Sequence, residues 1–338
     1  MLRALHTTSP EKPAQIIGRI LSADPMITLS KRDPRSPLGI AGVEKDFFRK
    51  KQALHIVSDT WHFRHERRSR GISKALRRLS NYLVDNHFIF LGNTTYETLL
   101  LSGCNIPSIC SSELIAVDET VFSPEAGPPA GFEPAEAVYV ARLVPLKRHE
   151  LARDLPNVAL AYSHAKFDPQ IYEQMKQAMP HFRFINHELG KGNYYHLSSR
   201  EVAGVLNACE VGLCLSGNEG AMRASMEYLM CGLPVVATRC PGGRERYFDS
   251  DNCIFADDTP AAVADAVREA VRRKSDRSEI RRSTLQKVKF DRMDFVSTIN
   301  EIIASIYGIH DFFESYSRFT GYMEYRPVKD VMNELATF

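Results

Sequence analysis

Glu219 and Glu227 stand eight positions apart in VGLCLSGNEGAMRASMEYLMCGLPVVATRCPGGRE, residues 211–245, which also carries a Gly242-Gly243 pair. Carboxylates accept hydrogen bonds from hydroxyls. In regular helix these two would lie roughly 12 Å apart on neighbouring faces. Paired carboxylates that hydrolyse glycosides work at roughly 5–9.5 Å, so the spacing suits two contacts to one long ligand instead. Two solvated helix glutamates would look the same, so the pair gains meaning only from its surroundings. Those surroundings parse as a strand (211–216), a loop with Glu219 and Gly220, a helix ending near Cys231, a second strand (234–238) and a glycine turn. This is one βαβ unit with polar groups at the strand exits, where open parallel sheets bind ligands.

The pattern around it predicts α/β architecture. Strands at 137–144, 158–162, 182–186 and 253–256 alternate with helical stretches. Ser198 and Glu201 form a capping box, and Thr259-Pro260 a cap with proline at the first helical position. Short loops between alternating strands and helices imply a parallel sheet covered on both faces. Upstream, ALHIVS (53–58) and 88–91 read as strands, and a helix is expected from Thr94 or Thr95 with Glu97 completing a capping box. Residues 1–50 hold five prolines and only short apolar pieces, such as 16–21 and 26–29. Four prolines in SPEAGPPAGFEPAE mark the domain boundary. The division expected is a short N-terminal domain (1–123), a linker (124–136), a C-terminal domain (137–308) and helices returning to the first domain (309–338). The aromatics of the last segment, Phe312, Phe313, Tyr316, Phe319, Tyr322 and Tyr325, need a surface to bury against, and helices are expected over 295–307, 310–318 and 327–335.

At 338 residues the chain can hold two cores. A formal net charge of +2 gives no global drive toward nucleic acid. Seven cysteines with no CxxC spacing read as small core residues in a reducing compartment. No apolar run reaches the roughly 20 residues of a membrane span, and MLRALHTTSPEKP lacks a signal-peptide core, so a cytoplasmic protein is expected.

The segment from Ser216 through Glu219, Glu227, CGLPVVAT and Gly242-Gly243-Arg244-Glu245 resembles the E-x7-E region of retaining GT-B glycosyltransferases of group 1. EAVYVARLVPLKRHEL resembles the segment opening that family's C-terminal domain, and Asp118-x3-Phe122-x-Pro124 the pattern closing its N-terminal domain. The resemblance covers about residues 86–305. It implies two facing Rossmann-like domains and a nucleotide diphosphate sugar as donor, with no further cofactor. Arg142 and Lys147 would hold the diphosphate. Glu219, with the amides of Gly220, Ala221 and Met222, would face the sugar, Glu227 would take the ribose, and Gly242 and Gly243 would complete the donor wall. No metal is implied, and Asp257-Asp258 reads as structural. A histidine near the donor sugar is expected after an N-domain strand: His62, with His55 behind it. The sequence departs from the family in Ala141, where glycine is usual, and in its short N-terminal half without an early glycine-rich loop. A carbohydrate or lipid-linked hydroxyl acceptor is implied. The alternative is a catalytically weak nucleotide-sugar-binding protein; an oxidoreductase is disfavoured because no G-x-G-x-x-G follows a strand. Arg64, Arg67, Arg68, Arg70, Lys74, Arg77 and Arg78 form the densest charge cluster, suited either to a solvated helix face or to peripheral contact with an anionic membrane.

Overall fold

The structure, a computed structural model, describes residues 15–31, 36–59, 66–163, 168–319 and 325–334. The first sheet opens with an antiparallel hairpin, β1 (Gln15–Ala23) and β2 (Met26–Lys31). These are the short apolar pieces between prolines. Helices α1 (Ile40–Val43) and α2 (Lys45–Phe48) lead to β3 (Ala53–Ser58), α3 (Glu66–Leu79), β4 (Asn86–Gly92), α4 (Thr95–Ser102) and β5 (Ser108–Cys110). Strands β2 to β5 pair in parallel in chain order. Right-handed crossovers that all step the same way place α1–α4 on a single face. Side chains alternate to match: Met26, Ala53 and Val57 pack on the helix side, while Ile27, Leu29, Leu54 and Ile56 point into the main core. Thr94 caps α4 as expected, but Glu97 accepts from Asn93 N at 2.6 Å, fixing the residue at the β4 exit.

His55 belongs to this helix-side layer and not to the cleft. It is fully buried beside the Phe48 and Phe88 rings, with Thr28 and Asn86 each 2.8 Å from one ring nitrogen. Burial pushes its pKa down from 6.5 to about 4. His62 lies outside the described residues. Between pH 6.5 and 4 the unfolded chain binds a proton that the folded chain refuses. His55 therefore contributes full stability above pH 6.5 and loses it as pH falls, by ~3 kcal/mol at pH 4. Urea midpoints of the wild type and His55→Gln across pH 4–7 check this; equal slopes for the two proteins would count against it.

The second sheet contains β6 (Ala135–Val140), β7 (Val158–Ala161), β8 (Phe182–Phe184), β9 (Cys209–Cys214), β10 (Val235–Thr238) and β11 (Cys253–Ala256), all parallel, in the order β11-β10-β9-β6-β7-β8. Its helices are α5 (Pro169–Ala178), α6 (Ile185–Leu189), α7 (Ser199–Asn207), α8 (Arg223–Met230) and α9 (Pro260–Arg273). The Ser198–Glu201 capping box and the Thr259 cap both form. Val211, Leu213, Val235 and Val236 are fully buried, as expected of strands covered on both faces. Cys209, Cys214 and Cys231 are buried free thiols whose pKa burial pushes up to about 12. The winding direction reverses between β6 and β9, which opens a crevice at their C-terminal ends.

In place of the shorter C-terminal helices, one 31-residue helix, α10 (Arg277–Tyr307), runs from an Asp276 cap to a left-handed Gly308. The helix expected over 310–318 does not form. Asp311 takes φ 51°, which breaks the helical path, and only a 3₁₀ turn follows at Tyr316–Phe319. Arg292 of α10 binds the carbonyls of Ile115 (2.9 Å) and Val117 (2.7 Å) and pairs with Glu119 (2.8 Å), tying the helix to the first domain. The chain then crosses back. Phe313 and Phe319 bury against the main core beside Phe295. β12 (Tyr325–Pro327) adds antiparallel to β1, and α11 (Val328–Asn333) buries Val331 with Ile20 and Met26. Tyr322 lies outside the described residues. The main hydrophobic cluster runs without interruption from the first sheet into the second.

Candidate functional site

Lys147 and Glu219 meet at the switch point. Lys147 ends the short 3₁₀ turn Pro145–Lys147 after β6, and Glu219 lies in the loop between β9 and α8. Their side chains form an ion pair almost fully removed from water. Two groups fix the lysine: the Tyr139 hydroxyl donates to its carbonyl at 2.7 Å, and Arg148, the next residue, turns the chain at φ 51°, ψ 47°. Arg142, between β6 and this turn, is half-buried.

Two arginines that sequence reasoning did not single out hold the floor. Arg148 donates to Leu215 O at 2.7 Å and Thr238 Oγ1 at 2.6 Å and pairs with Asp258 at 2.8 Å, binding together the exits of β9, β10 and β11. Asp258 is thus structural. Arg244 is fully buried and donates to the carbonyls of Ser216 (3.2 Å) and Thr238. Its nearest carboxylate oxygen, on Glu245, is 3.7 Å away. Asp258 offsets the Arg148 charge, so the positive charge under the crevice is that of Arg244, where an anionic group would be favoured. His149 adds none, because burial and the Lys147 charge push its pKa down to about 3. No pattern of spacing marks these arginines, whose partners lie 67 and 90 residues away for Arg148 and 28 for Arg244.

The glycine turn acts on backbone. Gly243 N donates to Gly220 O at 2.5 Å, and Gly242, at φ 115°, leaves room for no side chain: a Cβ there would lie 1.8 Å from Glu219 O. Gly242 and Gly243 thus hold the Glu219–Gly220 segment in place. Gly220, Ala221 and Met222 lead into α8, whose first residue is Arg223. Arg223 Nε is buried with no partner among the described residues. Glu227 follows one turn later; burial raises its carboxyl above the usual range, and the Arg223 charge opposes that shift. Sequence reasoning passed over Arg223 because one arginine at a helix start carries no signal.

Across the crevice, Asn93 at the β4 exit abuts Gly243, whose Cβ would come 2.9 Å from Asn93 O. Asn93 Oδ1 accepts from Glu113 N at 3.1 Å, and Glu113 pairs with Lys31 at 2.7 Å. Burial raises the Glu113 carboxyl, with Lys31 opposing. The exits of the first sheet thus hold a buried polar cluster whose Asn93 abuts the glycine turn.

Residues 138–273 match the family described as group 1 glycosyl transferases. The match covers the second sheet and its helices and leaves the first lobe outside it. An O-antigen biosynthesis protein, RfbC of Myxococcus xanthus, is 27% identical over 166 residues, which are 46% of this chain and 12% of that protein's length. Three solved structures superpose on both lobes. HepE of Anabaena, in complex with UDP, has a TM-score of 0.53 at 12% identity, covering 81% of this chain and 78% of that one. A trehalose-phosphate synthase of Burkholderia xenovorans, in complex with glucose-6-phosphate, has 0.54 at 12%, covering 83% and 73%. Sucrose-phosphate synthase of Thermosynechococcus elongatus has 0.54 at 14%, covering 82% and 74%. The fold is GT-B; around the crevice the matched segment places Lys147, Arg142, Glu219 and Glu227, and the first lobe places Asn93, with Glu113 and Lys31 behind it. Among the described residues no helix is long and apolar enough to cross a membrane.

Proposed function

We propose that the protein moves a sugar from a nucleoside diphosphate donor to a hydroxyl acceptor with retention at the anomeric carbon and without a metal. The observation that carries this is the Lys147–Glu219 pair at the switch point over the buried Arg244 guanidinium. Lys147 and Arg142 neutralise the diphosphate as the glycosidic bond breaks, and the departing phosphate takes the acceptor's proton on the same face. Glu219 and the amides of Gly220, Ala221 and Met222 hold the sugar; Glu227 takes the ribose hydroxyls. HepE, which shares the fold, holds UDP, and this supports a uridine donor. A panel of UDP-sugars with simple glycoside acceptors, assayed with and without EDTA, tests the proposal. The expected result is transfer that EDTA leaves unchanged and a product with the donor's anomeric configuration by NMR. Inversion, or activity abolished by EDTA and restored by a divalent ion, would overturn it.

The acceptor side includes a membrane surface. Arg70, Lys74, Arg77 and Arg78 of α3 are exposed, and Lys45, Arg49, Lys50 and Lys51 in and after α2 extend the basic face. Val84, Tyr96 and Leu99 stand exposed beside them at 72, 53 and 65%. Cations around scattered apolar side chains match an anionic headgroup layer. Sedimentation with phosphatidylglycerol vesicles is expected at low salt and to fall when Lys74, Arg77 and Arg78 become glutamine. Sedimentation unaffected by that change would exclude this surface.

A further inference from the structure

A cavity of about 230 Å³ lies where three parts of the molecule meet: the end of β5 with the strip after it, Arg246 just beyond the glycine turn, and one side of α10. It is too small for the drug-sized ligands that fill roughly 300–1,000 Å³, and it is the right order for one sugar ring. It sits beside the donor crevice and not in it. Ser112 on its wall precedes Glu113, whose N–H binds Asn93, and Asn93 in turn abuts Gly243. Cavity and crevice thus share a wall.

The lining chemistry narrows the ligand. Helix α10 presents Asp291, Asp294 and Thr298 at helical spacing, facing Ser111 and Arg246, with Phe295 as an apolar neighbour. Asp291 is already held by Arg246 Nε at 2.8 Å and the Tyr247 hydroxyl at 2.5 Å, so this pair carries no net charge. That leaves Asp294, exposed at the rim, as the lining charge with no ion pair among the described residues, which disfavours phosphates and nucleotides. One unengaged carboxylate is also too few for a hard divalent cation, which takes six or more oxygens. Ile109, Ile115 and Phe295 give one apolar wall, which suits the C–H face of a sugar ring, while the polar groups opposite disfavour an acyl chain. A neutral polyol satisfies all of these conditions, since its hydroxyls donate to Asp294 and exchange bonds with Ser111 and Thr298.

We propose that this cavity is a second saccharide subsite, which binds a neutral sugar ring separately from the donor. Calling that ring part of the acceptor rests on the transferase proposal; its binding does not. Because both domains line the cavity, a bound ring favours one setting of the two lobes.

The test uses the full chain, with methyl glycosides of glucose, galactose, mannose and N-acetylglucosamine as probes in saturation-transfer NMR. Spectra are recorded with and without saturating UDP. At least one glycoside is expected to bind while UDP is present. Asp294→Ala with Thr298→Val, both at the cavity and away from the crevice, should weaken it at least tenfold and leave UDP affinity unchanged. If no glycoside binds, if UDP displaces the one that does, or if the double variant binds it as well as the wild type, the subsite is overturned. UDP titration is read separately. Loss of UDP binding in the wild type would count against the transferase proposal and leave the subsite result standing.

Discussion

Lys147→Ala is expected to lower kcat/KM by about 10²–10³-fold, the scale seen when one preorganised donor to developing charge is removed. The ammonium is fixed at the switch point by the Tyr139 hydroxyl on its own carbonyl and by the left-handed Arg148 that follows, so a shorter neighbour cannot reach in to replace it. The same substitution strands the Glu219 carboxylate in a site almost closed to water. Breaking a buried pair costs about 3–5 kcal/mol in full burial, and the slight exposure of this one reduces that to roughly 2. Loss of activity and loss of stability must therefore be separated. Lys147→Met with Glu219→Gln removes both charges, so it should recover most of the urea midpoint yet remain as inactive as Lys147→Ala. A double variant with near wild-type turnover would remove Lys147 from the chemistry.

Gly242→Ala should damage the protein more than its size suggests. A methyl group would meet Glu219 O at 1.8 Å in a backbone at φ 115° that L-residues avoid. Strain of this kind costs about 1–3 kcal/mol, and displacing the Glu219 segment adds to it. A fall of about 3 kcal/mol, or roughly 6–12 °C in Tm, is expected. If the proposed donor site is right, UDP affinity should drop with it, because the Gly243 N–H to Gly220 O bond that holds the Glu219–Gly220 segment would be pushed apart. Gly127→Ala, where a Cβ meets open space, is the control and should change neither. Calorimetry and UDP titration on the two variants read the difference; equal behaviour would mean the turn yields freely.

The second domain was legible because its strands are buried on both faces and its helices announce themselves with caps such as Ser198 and Thr259. Lys147 and Glu219 were singled out by their motifs, and the fold brings the two side chains together. In the first domain β3, β4 and the Thr94 cap of α4 were legible, but the β1–β2 hairpin was not, since its strands lie among prolines and the edge of their sheet is three residues drawn from the C-terminal segment. Arg148, Arg244 and Asn93 were missed for the same reason: each acts through contacts that exist only after distant strand exits have been brought together. His55 was misplaced because a histidine in an alternating strand gives no sign of which face it occupies, and Phe48 and Phe88 close over the helix-side one.

The returning β12 and α11 also impose an order on biosynthesis. Domains made on the ribosome generally fold as they emerge, the N-terminal one first. Here Ile20 and Met26 wait for Val331, and β1 keeps an open edge until residues 325–327 arrive. The lobe translated first is the lobe completed last, and until then its unpaired strand is the part of the nascent chain most in need of a chaperone.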